Sequence, residues 1–210
     1  MSEPRARAKS IRPVVPGVYR WHIADERIGG APSDAFAVVE DDGVVLIDPL
    51  PLVPRAEASL ARLGRVEAIL LTGSCHQRSA WRHRKKFAAK VYAPRLSAGL
   101  AGAPDETYDD GDVLPGGLLA VHAPGPTESH FALFRKKGGV LFCPDLLLGL
   151  GRKGVRFIAA EYQDDPAATR GSVRKLLALP FRVVCFSHGQ PVTSGAKAAF
   201  RRALLADALR

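Results

Sequence analysis

The chain has 210 residues, with 30 Lys and Arg against 21 Asp and Glu, for a net charge of +9. That length supports one sizeable core, and 47% apolar with 24% charged residues is the composition of a globular protein, which excludes a disordered or collagen-like chain. The apolar runs at 140–142 and 146–148 are far too short to cross a bilayer, and the basic start up to Lys9 lacks the apolar stretch of an export signal. With three cysteines (Cys75, Cys143, Cys185) and no Cys-x-x-Cys pair, reduced thiols in a cytoplasmic, non-membrane protein are expected.

In chain order, residues 1–13 read as a basic flexible tail carrying Arg5, Arg7, Lys9 and Arg12, and residues 14–210 as a single domain. Spans 14–23, 34–40 and 43–48 are Val- and Ile-rich strands separated by the turn residues Gly29-Gly30 and Asp41-Asp42-Gly43. A helix over 52–63 stops at Gly64, a buried strand covers 66–71, and a second helix spans 79–89 with Trp81 and Phe87 as apolar contacts. After a short strand at 91–93, an acidic loop runs from Asp105 to Asp112. Strands at 118–123, 130–135 and 139–143 follow, then a weaker one at 155–159. A helix over 165–178, a strand over 181–186 and a helix over 194–209 with Ser194 as N-cap complete the chain. Strands in runs as well as in alternation with helices imply mixed sheets with helices outside, an α/β class.

The surplus charge is clustered. One group is Arg78, Arg82, Arg84, Lys85, Lys86 and Lys90, and another is Arg135, Lys136 and Lys137. Counterion release on nucleic acid needs such charge, but a base-stacking platform also needs interleaved aromatics. Only Trp81 is near, and it reads as an anchor of its helix. A solvated helix face and a solvated turn are therefore expected, with His83 solvated among them, and nucleic-acid binding is kept only as an alternative.

Polar residues gather where buried strands end: Asp48 after Val44-Val45-Leu46-Ile47, Cys75 and His76 after Ile69-Leu70-Leu71-Thr72, Asp145 after Leu141-Phe142-Cys143, and His188 after Val184-Cys185-Phe186. Such residues converge on one cleft in many layered α/β folds. Together with Ala123-Pro124-Gly125-Pro126-Thr127 and Ser187-His188-Gly189-Gln190-Pro191, these ordered segments resemble the metallo-β-lactamase superfamily from about residue 14 to 205. The resemblance implies the four-layer αββα sandwich and, by analogy alone, hydrolase chemistry.

The same resemblance implies a His-x-His-x-Asp-His metal motif, and here the chain departs from it. Gly73, Cys75, Gln77 and Arg78 stand at the four ligand positions, and Pro126 stands where the family has its next His. Asp145 and His188 survive, and Cys75 is a donor of another kind. A catalytic zinc takes about three protein ligands and a water. Cys75, Asp145 and His188 fall short of two such sets, so the dinuclear site is expected to be largely lost and no cofactor is expected. Zinc or another divalent ion on Cys75, Asp145 and His188 is the alternative. In an extended loop His76 should point away from Cys75, and nothing in the spacing selects His22, His122 or His130.

The pocket expected from the sequence is therefore Asp48, Cys75, His76, Gln77, Arg78, Asp145 and His188, with Asp145 and His188 catalytic if the protein is active. Arg78 is expected to pair with Asp145 and take over the charge balance of the missing metal. Cys75 reads either as a thiolate nucleophile or as a small filler. Asp48 reads either as a ligand-orienting carboxylate or as a cap on loop amides. The reading is a site that binds a small anionic molecule or serves a non-catalytic role as an interaction module; the alternatives are a mononuclear metal-dependent hydrolase of an ester, thioester or lactam-type bond, and a nucleic-acid-binding surface. Oligomeric state is not legible in the sequence.

Overall fold

A turn at Pro16-Gly17 breaks the first expected strand in two. In the computed structural model, which describes residues 3–208, the chain opens with β1 (Arg12–Val15) and β2 (Val18–Asp25), then β3 (Ala31–Glu40) and β4 (Gly43–Ile47). These four run antiparallel, because each connection is a short turn. Helix α1 (Pro54–Ala61) then carries the chain to β5 (Val66–Leu70), and α2 (Ala80–Phe87) carries it to β6 (Lys90–Pro94). Both crossovers make parallel pairs, as does the following loop to β7 (Glu106–Tyr108). The result is a seven-stranded sheet in the order β1 to β7.

Ala8, within the stretch expected as a tail, is buried and exchanges backbone bonds with Pro51 and Val53. The expected acidic loop contains strand β7, whose Tyr108 is buried and donates its hydroxyl to the Leu71 carbonyl at 2.5 Å. Trp21, Leu46, Leu50, Leu60 and Ile69 form the core of this unit.

The chain divides into two compact units, Met1–Tyr108 and Asp109–Arg210. The second begins with β8 (Val113–Leu114), β9 (Leu118–His122), β10 (Phe131–Arg135) and β11 (Val140–Cys143). Gly138 and Gly139, at φ 80 and 61, close the β10–β11 hairpin. A small two-stranded sheet of β12 (Leu147–Gly149) and β13 (Val155–Phe157) follows. Helix α3 (Pro166–Leu176) starts on Asp165, whose carboxylate accepts from Ala168 N at 2.9 Å, with Pro166 at the first helical position. Then come β14 (Val183–Phe186), which joins β11 in parallel, and α4 (Ala196–Ala208), which packs on β13. The larger sheet has the order β14-β11-β10-β9-β8. Phe134, Leu141, Phe181, Phe186 and Phe200 fill its core.

Three expectations are corrected here. His83 is fully buried against the Leu50 carbonyl, because α2 turns this residue inward rather than to solvent. Arg135 is only 2% exposed, since it is the last residue of a buried strand and not part of the solvated turn. Strand β12 lies in a stretch where the sequence suggests no element. The expected helix end at Leu209 lies outside the described residues.

Candidate functional site

In the first unit, strand β4 delivers Asp48 into a buried position with left-handed backbone, φ 47. Parallel pairing of β4 with β5 brings the residues after both strands side by side. The Asp48 carboxylate therefore accepts from Thr72 N at 2.8 Å and from the Thr72 hydroxyl, and lies 3.0 Å from His76 Nδ1. Thr72 Oγ1 is also 2.7 Å from that nitrogen. With the Thr72 hydroxyl donating to Asp48, Nδ1 is a proton-bearing nitrogen of the His76 ring. Burial alone would raise the Asp48 pKa. The nearby His76, the Arg78 charge and the Thr72 bonds outweigh it and hold the carboxyl below its ordinary value.

His76 does not point away from Cys75. Residues Ser74–His76 form a 3-10 turn, not an extended loop, and the Cys75 sulfur lies within 4.8 Å of a His76 ring nitrogen. Cys75 is half-buried, and His76 is 3% exposed. Gln77 accepts from Ala101 N at 2.6 Å and from Trp81 Nε1 at 3.0 Å, so its amide fixes the 99–101 loop and the start of α2. Arg78, at φ 37 and 3% exposed, donates its guanidinium to the backbone carbonyls of Asp34 and Asp48.

In the second unit, adjacency of β10, β11 and β14 sets the geometry. Because β11 runs parallel to β14 and antiparallel to β10, the end of β11, the end of β14 and the start of β10 share one sheet edge. Asp145, His188 and His130 sit there. Asp145 Oδ1 is 3.0 Å from His188 Nε2, and its Oδ2 is 3.6 Å from His130 Nε2. His130 is 1% exposed, and its Nδ1 lies 2.7 Å from the Thr127 hydroxyl, which directs Nε2 toward the carboxylate.

Two backbone devices hold these side chains. Gly125, at φ 138, lies so close to α3 that a Cβ there would stand 2.2 Å from Thr169 Oγ1, and Ser172 donates to the Pro124 carbonyl at 2.7 Å. The helix thus clamps the turn that carries Thr127. Gly149 N donates to the His188 carbonyl, and Gln190 N donates to the Gly149 carbonyl. Strand β12 is thereby stitched to the His188 turn.

Sequence reasoning selected Asp145 and His188 but had no spacing that singled out His130. A donor six residues before the β10–β11 turn falls beside Asp145 only because the hairpin is antiparallel. The expectation of too few metal donors is therefore not supported. Cys75 and His76 in the first unit, and His130 and Asp145 in the second, are all donor types that hold metal ions.

The profile of the Metallo-beta-lactamase superfamily matches residues 9–193. The chain belongs to this superfamily. A hydroxyacylglutathione hydrolase from Chelativorans sp. (strain BNC1) is 24% identical over 174 residues, covering 79% of this chain and 66% of the relative. The chain thus spans slightly less than two thirds of that relative's length. Among solved structures, a metallo-β-lactamase from Erythrobacter litoralis superposes with a TM-score of 0.70 at 22% identity, over 92% of this chain and 93% of that one. Another from Hirschia baltica gives 0.73 at 15% identity, over 95% and 97%. The α/β architecture is that of the metallo-β-lactamase fold, and the protein is hydrolase-like by family. Among the described residues, no helix is long and apolar enough to cross a membrane.

Proposed function

We propose that this superfamily member is a mononuclear metal-dependent hydrolase of an acyl bond, a thioester first, with the ion held by His130, Asp145 and His188. The observation that carries this reading is the pair of Nε2 atoms on opposite oxygens of one carboxylate. Two imidazoles and a carboxylate are a donor set that holds zinc in hydrolytic sites. The name of the hydroxyacylglutathione hydrolase relative supports the thioester, since it describes an acylated glutathione. When bound, such an ion polarises a carbonyl and makes water acidic enough to attack near neutral pH. The chain's own part is positioning. Thr127 fixes the His130 tautomer, the β12 stitch fixes His188, and Asp145 keeps an anionic oxygen toward each ring.

A second reading rests on the 3.0 Å contact between Asp145 and His188, which already gives the carboxylate a partner within the unit. On that reading the site holds no ion and receives a small anionic molecule without catalysis. Elemental analysis of protein purified without chelator, with zinc, manganese and iron supplied, separates the two. About one ion per chain is expected, with loss in His130→Ala and His188→Ala. Asp145→Ala should keep its circular dichroism and lose at least ~100-fold in hydrolysis of an acyl-glutathione thioester. An ion-free, inactive wild type would establish the second reading instead.

A further inference from the structure

His122 ends β9 in the second unit and has no part in the ion set proposed above. Its ring nevertheless reaches the turn that carries His130. Nε2 lies 2.8 Å from the Glu128 carbonyl oxygen. A carbonyl only accepts, so this nitrogen bears a proton and donates whatever the charge of the ring. Antiparallel pairing sets His122 opposite Phe131, and the two rings lie tilted with centres 4.9 Å apart. The imidazole is thus fixed by a carbonyl just before His130 in the chain and by the side chain just after it.

The earlier carbonyls of this turn are held from the α3 side. Pro124 accepts from the Ser172 hydroxyl, Gly125 from Asp165 N at 2.8 Å and Pro126 from Asp164 N at 3.3 Å. Helix α3 and its lead-in therefore anchor the first half of the turn, and His122 bonds the half that ends on His130. His122 is itself tied down. Its amide donates to Asp110 Oδ1 at 2.7 Å, and its carbonyl accepts from Lys175 Nζ at 3.0 Å. Lys175 also bonds both oxygens of Asp110. It lies about one helical turn beyond Ser172, so a single helix braces both halves of the turn.

We propose that His122 is a positioning residue for the ion site: its bond to the Glu128 carbonyl sets the orientation of the peptide after Glu128 and, through it, the aim of His130. This rests on the metal-dependent reading above. The link is short. The Thr127 hydroxyl meets His130 Nδ1 at 2.7 Å, and the peptide that His122 holds lies between those two residues. Released, that peptide can turn its carbonyl toward water, the contact between Thr127 and His130 loosens, and Nε2 loses its single direction. Ligand histidines depend on such outer partners by ~10- to 100-fold in metal affinity. The Glu128 carboxylate lies 3.6 Å from the same His122 nitrogen, but its side chain is 73% exposed, and an exposed pair of that kind contributes little.

His122→Phe tests this, because it deletes the N–H and keeps a ring against Phe131. Zinc affinity of the full chain, measured by competition with a chromophoric chelator, should fall about 10-fold. His122→Gln, whose amide can donate from nearly the same place, should recover most of the loss. A second readout needs neither ion nor activity. In excess chelator, the proton and nitrogen resonances of the His130 ring, assigned with His130→Ala, should move in His122→Phe and return in His122→Gln. Glu128→Gln changes the exposed carboxylate but not the carbonyl, and should match wild type in both measurements. Wild-type zinc affinity in His122→Phe, or an unmoved His130 ring, overturns the proposal. So does a loss in His122→Gln as large as that in His122→Phe, which would assign the effect to packing of the imidazole, or an equal loss in Glu128→Gln, which would assign it to the ion pair. If the wild type takes up no zinc, the hydrolase reading fails by itself, and the His130 resonances decide the role of His122.

Discussion

Asp48 shows how one buried charge can organise a loop. Three donors converge on it: the Thr72 amide, the Thr72 hydroxyl and the His76 ring. Bonds to an ionised acceptor contribute more than neutral ones, and stranding their donors costs more again. Asp48→Asn is the informative variant, because asparagine tolerates the left-handed backbone at φ 47 whereas alanine would add strain. It keeps one acceptor oxygen but turns an NH2 toward Thr72 or His76. A loss of about 2 kcal/mol in urea unfolding is expected at pH 7. A loss below about 0.5 kcal/mol would show that the His76 ring is held by something other than this carboxylate.

Among elements, the three-residue strand β12 has a larger consequence than its size suggests. Its Gly149 and the facing Gly189 approach so closely that a Cβ on either would lie 2.1 Å from a backbone oxygen. Gly189 also has φ 104, which side chains rarely adopt. Gly189→Ala should therefore push β12 away from the turn that presents His188, destabilise the protein by about 2 kcal/mol or more, and lower metal occupancy together with His188→Ala. Proton-resonance titration of His188 would show whether the ring has left Asp145. Unchanged stability and an unchanged His188 signal would refute the account. This element also marks where the sequence becomes unreadable. Long strands such as β3 and β4, and helices with a defined start such as α3, carry their own periodicity and caps. Strands β7 and β12 have three residues each and exist because a partner strand supplies the other half of the ladder. The site divides in the same way. Asp48, Asp145 and His188 follow strong strands and were visible from that placement. His130 needed hairpin register, and His76 needed the 3-10 turn that rotates it toward Cys75. His83 misled because its neighbours on α2 are basic, while its own helical position faces the core.

For the whole molecule, pH should act on stability in two separable stages. His83 is buried and neutral, since burial pushes its pKa below 6.5 and neighbouring Arg82 and Lys86 oppose a further charge. Below pH 6.5 the unfolded chain takes up a proton that the folded imidazole refuses. Stability therefore falls as acid is added, by at most about 1.4 kcal/mol per pH unit, until the folded ring also titrates. Asp25 acts lower. Burial would raise its pKa, but Arg27, Ser33 and the Arg27 amide hold it at about 2 against an ordinary 3.8. Its stabilisation is complete above pH 3.8 and disappears as pH falls toward 2, an amount of about 2 kcal/mol. Asp48, also held low, titrates in the same direction. Meanwhile the net charge climbs above +9, and self-repulsion deepens the acid loss. Urea unfolding across pH 2 to 8 reads both stages. His83→Gln should flatten the upper one, because the amide cannot take a proton. Asp25→Asn should lie about 2 kcal/mol below wild type at pH 7 and meet it near pH 2. If the Asp25→Asn deficit stays constant down to pH 2, the aspartate contributes shape and not charge. If His83→Gln keeps the wild-type slope near pH 6, the imidazole is protonated within the fold and the helix α2 interior is more polar than its packing indicates.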